Sequence, residues 1–384
     1  MDFELTEQQR DVKKAAKEFA EGEFDRELAL KLEREHTFPW ETWKKACELG
    51  FVGIHFPEEC GGGGYGVMEN SLVVEEFCRV DSGIGIALSV ADFSTEIILR
   101  FGTQEQKKKY LTPITEGKAI SSGGFTEPDH GSDITLLSTQ ATKKGDEFII
   151  NGTKTFITNG TIADFSIVLC QSDFDVTPSY RGQSTIIVEK GSAGFEATDI
   201  GDKMGIKMTS TAELSFSDVR VPVSNLVGEE NRGFYQVLEF FDESRIEIAA
   251  QAVGIAQGAY ERALNYAKER KQFGKRIAQF QAIQHKLAEM ATKIETARLL
   301  LYKAAWTFDQ GTIDPKLTSM CKFYAARVAV EVADEAIQIL GGYGYVTEYE
   351  VERFYRDARI TEIYEGTREI QKNTIAGAIL GKLE

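Results

Sequence analysis

Cysteine and histidine are scarce in this chain of 384 residues, which has five widely spaced cysteines and four histidines. Without a C-x-x-C pair, and with an odd number of thiols, neither a disulfide framework nor a structural zinc site is expected. Long apolar runs are missing as well: none approaches the roughly 18 residues of a membrane span, so no membrane association is expected. Positive charge is in deficit, with 60 acidic against 44 basic side chains and a formal charge of −16. That balance repels nucleic-acid backbones and anionic lipid surfaces, and any anionic ligand must be met by a local basic patch. The opening MDFELTEQQR lacks the layout of a secretory signal or a transit peptide, so the expected location is cytoplasmic, in a prokaryote by default. Internal repeats, low-complexity tracts and long linkers are also absent, and the length suits two or three domains.

What is present falls into three blocks. Thr6 and Gln9 have capping-box spacing, and Val12, Ala15, Ala16 and Phe19 then recur as an amphipathic stripe. Helical patterning returns at 40–49, at 67–80 and, as one helix, over 97–111. From about residue 119 the texture turns to short β-rich runs at 148–150, 166–169, 185–188 and 214–216, and Asn151-Gly152 reads as a hairpin turn. After Pro222 no further strand is expected, and 234–270, 280–310, 316–340 and 370–380 read as helices. The fold class is α+β multidomain: a helical domain over 1–118, a β-domain over 119–228 and a helical bundle over 229–384. Because βαβ alternation is lacking, Gly61, Gly63 and Gly66 are read as a flexible loop despite fitting G-x-G-x-x-G.

Four segments carry candidate chemistry. Residues 124–133, GFTEPDHGSD, crowd hydroxyls, carboxylates and glycines into a turn that is either a site or a surface loop. In 155–160, TFITNG, an aromatic and a threonine either face a planar ligand or pack as ordinary strand residues. Residues 268–276 hold five bases and one acid, a natural anchor for a pyrophosphate or a set of solvated helix-end charges. In IYEGT, residues 363–367, Glu365 is either a partly desolvated base or an acid near a helix start.

Together these segments resemble the acyl-CoA dehydrogenase family over essentially the whole chain. Phe125-Thr-Glu-Pro with Gly131-Ser-Asp133 is similar to one family signature. Gln338-x-x-Gly341-Gly342-x-Gly344-Tyr345, with Glu348, Arg353 and Asp357, is similar to the other. RKQFG from Arg270, YRDA from Tyr355 and IYEGT from Ile363 match further blocks in order. The resemblance implies an N-terminal helical domain, a middle β-domain and a C-terminal four-helix bundle in a homotetramer, with FAD between β-domain and bundle. Phe125, Thr126, Phe156, Ile157 and Thr158 would line the flavin. Arg270, Gln272, Phe273, Gln281, Gln338, Gly341 and Gly342 would hold the pyrophosphate and adenosine across a subunit interface, with Thr367 and Glu369 also near the cofactor. Ser132, Asp242, Arg245 and Gly366 would meet the CoA thioester. Glu365 would take the α-proton while hydride leaves the β-carbon for the flavin, the enolate being held by a ribityl hydroxyl and the Glu365 N–H. An electron-transfer flavoprotein would then reoxidise the cofactor.

Three departures stand out. His130 replaces a small residue beside the flavin, and Phe156 stands where tryptophan is frequent. Asp92 lies in the segment matching the helix at the far end of the acyl slot, where small or neutral residues are usual. A carboxylate there faces several kcal/mol of desolvation beside a fatty chain, so it is protonated, turned to solvent, or functional. As a second catalytic base it would remove the vinylogous γ-proton of a cyclohex-1-ene-carbonyl thioester, a 1,4-dehydrogenation giving a cyclic diene. Cyclohexane-carbonyl and straight short or medium acyl chains are the alternative substrates. An oxidase passing electrons to dioxygen and a silent flavin or acyl-CoA binder are the alternative functions.

Overall fold

A computed structural model describes residues 4–381, and its first helix begins where side-chain chemistry starts it. Thr6 Oγ1 accepts from the Gln9 N–H while Gln9 Oε1 accepts from the Thr6 N–H. Helix α1 (Glu7–Glu23) buries Ala16, Phe19 and Ala20. Around it stand α2 (Arg26–Glu35), α3 (Trp40–Glu48), α4 (Val67–Val80) and α5 (Ser82–Ser89), followed by α6 (Thr95–Phe101), α7 (Gln104–Tyr110) and α8 (Thr112–Thr115). The single helix expected over 97–111 is thus two, α6 and α7. The chain breaks at Gly102, and a second capping box between Thr103 and Gln106 starts α7.

The β-domain is one seven-stranded mixed sheet. Its strands are β1 (Ser121–Gly124), β2 (Gln140–Lys144), β3 (Glu147–Thr158), β4 (Phe165–Gln171), β5 (Gln183–Glu189), β6 (Phe195–Asp199) and β7 (Thr211–Pro222). Strand β4, buried along its whole length, pairs parallel with β1 and antiparallel with β5. Strands β2, β3, β7 and β6 follow as an antiparallel run. Asn151-Gly152 is not a hairpin. The turn joining β2 to β3 is Gly145-Asp146, with Gly145 at φ 64°. Asn151-Gly152 lies inside β3, at a register shift against β7. A Cβ at Gly152 would come within 2.6 Å of Thr139 Cα, and Asn151 exchanges hydrogen bonds with Asp218. The dipeptide's tolerance of unusual φ serves a bulge. A second shift between Lys154 and Ile157 puts Phe156 at φ 58° and turns its ring outward, 68 % exposed.

The bundle consists of α9 (Gly233–Glu269), α10 (Gln281–Asp309), α11 (Pro315–Leu340), α12 (Val351–Ile360) and α13 (Arg368–Leu380). The sequence pattern did not pick out α12, and strands do recur after Pro222. The basic stretch leaves α9 at Arg270 and forms a short hairpin of β8 (Lys271–Gln272) and β9 (Lys275–Arg276). The bundle core is alanine-rich, with Ala249, Ala252, Ala256, Ala329 and Ala333 fully buried, so α9 and α11 pack side by side. Signature residues Arg353 and Asp357 on α12 tie the three blocks together. Arg353 makes a forked pair with Asp81 at 2.8 and 2.5 Å, while Asp357 accepts from Ser82 Oγ and the Ile206 N–H. All five thiols are free and buried. Among the described residues no helix is long and apolar enough to cross a membrane, and no group of His, Cys, Asp or Glu is arranged to hold a metal.

Candidate active site

Glu365 sits between α12 and α13 in a backbone form that few side chains adopt. Its φ is 51° and that of Gly366 is 89°. Consecutive left-handed residues cost free energy that their surroundings must offset. Gln371, fully buried on α13, donates to the carbonyls of Glu365 (2.9 Å) and Gly366 (3.0 Å), and Lys322 Nζ donates to Gly366 at 2.6 Å. The carboxylate itself accepts from Ser244 Oγ on α9 at 2.6 Å. Burial raises the Glu365 pKa, and the Ser244 hydrogen bond with the Lys322 and Arg245 charges draws it partly back. A half-buried carboxyl held in this way has the character of a general base. Ser244, Lys322 and Gln371 were not singled out from the sequence. Lys322 carried a signal, since it falls on the apolar stripe of α11 with Thr318, Ala325 and Ala329.

Below Glu365, Asp242 and Arg245 form a buried pair at 2.8 Å, with Thr318 Oγ1 donating to Asp242. Burial raises the Asp242 pKa and lowers that of Arg245. The Arg245 Nε carries no hydrogen bond, which leaves a donor for a polar ligand. Ser132 is exposed in the turn after β1. In that turn Glu127 and His130 exchange backbone hydrogen bonds, and Glu127 is buried with Lys154 in an ion pair of 2.8 Å.

Asp92 is 7 % exposed, so it does not turn to solvent. Burial and the neighbouring Glu96 raise its pKa, against the opposing pull of His55. Glu247, one turn along α9 from Ser244, is raised well above the usual range by burial and by Asp92, Glu96, Glu365 and Glu243. Gln251 donates to Glu247 at 3.3 Å and to Ser89 at 2.9 Å, and Tyr364 donates to Gln251. Asp92 and Glu365 therefore both act on Glu247, within one acidic region. Glu96, Glu243, Glu247 and His55 belong to it and were missed, because their convergence is a product of packing.

The cofactor residues divide into two groups. Thr126 lies beside the end of β3 that carries Phe156 and Thr158, joined to it by the Thr155 N–H to Thr126 carbonyl bond of 2.9 Å. Thr367 caps α13, and Glu369 is exposed in its first turn. Phe125 and Ile157 instead bury their side chains, Phe125 against Phe240 and Phe241 and Ile157 in the β-core. The second group lines a cavity of about 510 Å³ containing Arg270, Gln272, Gly341, Gly342, Tyr266 and Tyr343. Arg270 lies 5.5 Å over the Tyr343 ring. Gly341 has φ 63°, and nothing stands within 4 Å of a Cβ built on it or on Gly342. An open glycine backbone beside a guanidinium fits a pyrophosphate. Phe273, 92 % exposed, and Gln281 and Gln338, also exposed, stand on the neighbouring surface.

Three family models match in this order: the acyl-CoA dehydrogenase N-terminal domain over residues 6–118, the middle domain over 122–219 and the C-terminal domain over 231–380. The chain belongs to the acyl-CoA dehydrogenase family. It is an FAD-dependent oxidoreductase acting on acyl-CoA. It is 43 % identical to the short-chain specific acyl-CoA dehydrogenase of Clostridium acetobutylicum, covering 99 % of this chain and all of that one. It is 42 % identical to the caffeyl-CoA reductase–Etf complex subunit CarC of Acetobacterium woodii, covering 98 % of this chain and all of that one. Butyryl-CoA dehydrogenase from Megasphaera elsdenii superposes with a TM-score of 0.94 at 41 % identity, covering 99 % of this chain and all of that one.

Proposed function

We propose that Glu365 removes the α-proton of a bound acyl-CoA thioester and that the electrons leave to an electron-transfer flavoprotein. The observation that carries this reading is the Glu365-Gly366 turn. Gln371 and Lys322 hold it through the Glu365 and Gly366 carbonyls, while Ser244 and the Arg245 charge keep the half-buried carboxylate ionisable. The Glu365 N–H then polarises the thioester carbonyl, stabilising the enolate as charge develops. Arg245, Asp242, Ser132 and the Gly366 backbone orient the CoA side. FAD, when bound, takes up the hydride. Thr126, Phe156, Thr158 and Thr367 would hold its ring half and Arg270, Gln272, Phe273, Gln281, Gln338, Gly341 and Gly342 its pyrophosphate and adenosine half, in a homotetramer in which the halves meet between subunits. The named Etf complex of the Acetobacterium relative supports the acceptor.

For the acyl group the reading is alicyclic. Asp92 is buried within electrostatic reach of Glu247 and carries a raised pKa, which suits a base acting on a vinylogous γ-proton. Anaerobic flavin bleaching against straight, branched and cyclic acyl-CoAs tests it. Cyclohex-1-ene-carbonyl-CoA should bleach fastest, and a preference for butyryl-CoA would return the substrate to short straight chains. Glu365→Gln should abolish bleaching by saturated acyl-CoAs, whereas bleaching at the wild-type rate would remove Glu365 from the mechanism. Rapid peroxide formation in air would favour an oxidase. A second reading, reduction of an enoyl-CoA by the same residues in reverse, is favoured by the reductase relative.

A further inference from the structure

Behind Asp92 lies a buried pair that the mechanism so far leaves unused. The His55 side chain is 5 % exposed, as is that of Glu96, with Nε2 3.7 Å from Glu96 Oε1. Neither ring nitrogen of His55 has a hydrogen-bond partner, nor does Glu96 Oε2. Buried polar atoms are nearly always paired, so three open valences beside a buried carboxylate mark a place where a proton or a water is handled. Asp92 interacts electrostatically with Glu96, one turn on in sequence, with His55 from the 53–56 turn, with Glu247 from α9 and with Cys47 from α3. On the far side, Glu243 interacts with both Glu96 and His55. Glu243 pairs with Arg100, and Arg100 reaches Glu239 at 3.3 Å, where the Glu239 side chain is 38 % exposed. Charged groups thus lead from Asp92 to the surface, with Arg100 holding Glu243 in place rather than relaying a proton itself.

We propose that His55 and Glu96 form a proton outlet beside Asp92, receiving the proton that Asp92 takes from an alicyclic acyl group and releasing it through Glu243, whose side chain is 10 % exposed, to solvent. This rests on the alicyclic reading above. In the step, the γ C–H bond breaks and its electron pair becomes the β,γ double bond. The old α,β π pair shifts to the other ring carbon bonded to Cα, from which the hydride departs with two electrons. The proton goes to the Asp92 carboxylate and then to the Glu96–His55 pair. Both are positioning residues, since they act through Asp92.

The test uses FAD-loaded His55→Gln, Glu96→Gln and Asp92→Asn enzymes. Two quantities are read with cyclohex-1-ene-carbonyl-CoA: turnover, and deuterium uptake into the ring from D2O without an electron acceptor, by mass spectrometry. An outlet predicts that His55→Gln and Glu96→Gln lose at least about tenfold in kcat and in deuterium uptake with KM unchanged, and that added imidazole restores both in His55→Gly. Wild-type kcat and uptake in the His55 and Glu96 variants, with Asp92→Asn inactive, would overturn the outlet and leave the base standing. An active Asp92→Asn enzyme would overturn the base reading, and the outlet with it. Lost folding or flavin in the His55 and Glu96 variants would leave imidazole rescue of His55→Gly to decide, and failure to rescue would count against the outlet.

Discussion

Burial lifts Glu365 out of the ordinary carboxylate range, and three neighbours limit the lift. Dehydrogenation needs the ionised form, so activity should fall as pH drops through the raised pKa, at a pH above that of a free glutamate near 4.3. The reductive direction needs the protonated form and should fall as pH rises through the same value. Lys322, whose own pKa burial lowers to about 7, supplies part of the stabilising charge. Lys322→Met should therefore move the acid limb of kcat to higher pH, and an unshifted limb would mean that Lys322 only anchors Gly366. Asp92 carries the opposite account for stability. Its folded pKa is raised to about 7, above the unfolded one, so the protonated fold is favoured at low pH and that advantage is lost as pH rises from about 4 through the folded value. Asp92→Asn should thus stabilise the protein at pH 8, by about 1.4 kcal/mol for each pH unit separating the folded and unfolded pKa, with no gain at pH 4 in urea unfolding.

Strand β3 shows how an element places chemistry. Its second register shift turns Phe156 outward while Lys154, in the same strand, is wholly buried with Glu127. Glu127 also accepts from the Ser138 and Thr139 N–H groups, so one buried carboxylate holds the turn after β1 against β3. Lys154→Met would strand that charge and should cost about 3 to 5 kcal/mol in denaturant unfolding, with part recovered when Glu127→Gln is added. From the sequence, Thr155-Phe156-Ile157 was legible as a strand with an aromatic of two readings. The bulge that turns Phe156 outward depends on the partner strand β7, which no local pattern encodes. The same applies to Asn151-Gly152, whose permissive backbone fits a hairpin or a bulge equally well.

At the scale of the whole molecule, three helical and β blocks are joined by charged contacts at α12, with Arg353 and Asp81 at the centre. The net charge of −16 gives the Arg270 hairpin its meaning, because an open cavity beside it offers a guanidinium and free glycine backbone to an anion. Arg270→Gln should weaken FAD retention by about 1.5 to 3 kcal/mol, read as flavin content after dialysis. Unchanged retention would move the pyrophosphate elsewhere.

The order of blocks, the long bundle helices and the first capping box follow from the sequence alone, because periodicity and capping are local and each residue's neighbours are its sequence neighbours. The resemblance of ordered blocks to the family pointed to Glu365 and Arg270, and Asp92 stood out as a departure from it. What surrounds those residues was decided only by the tertiary structure: Ser244, Lys322 and Gln371 around Glu365, and His55, Glu96 and Glu247 around Asp92. These groups come from segments up to hundreds of residues apart. Their desolvation and mutual charge, which set what each carboxyl can do, exist only once the helices have packed.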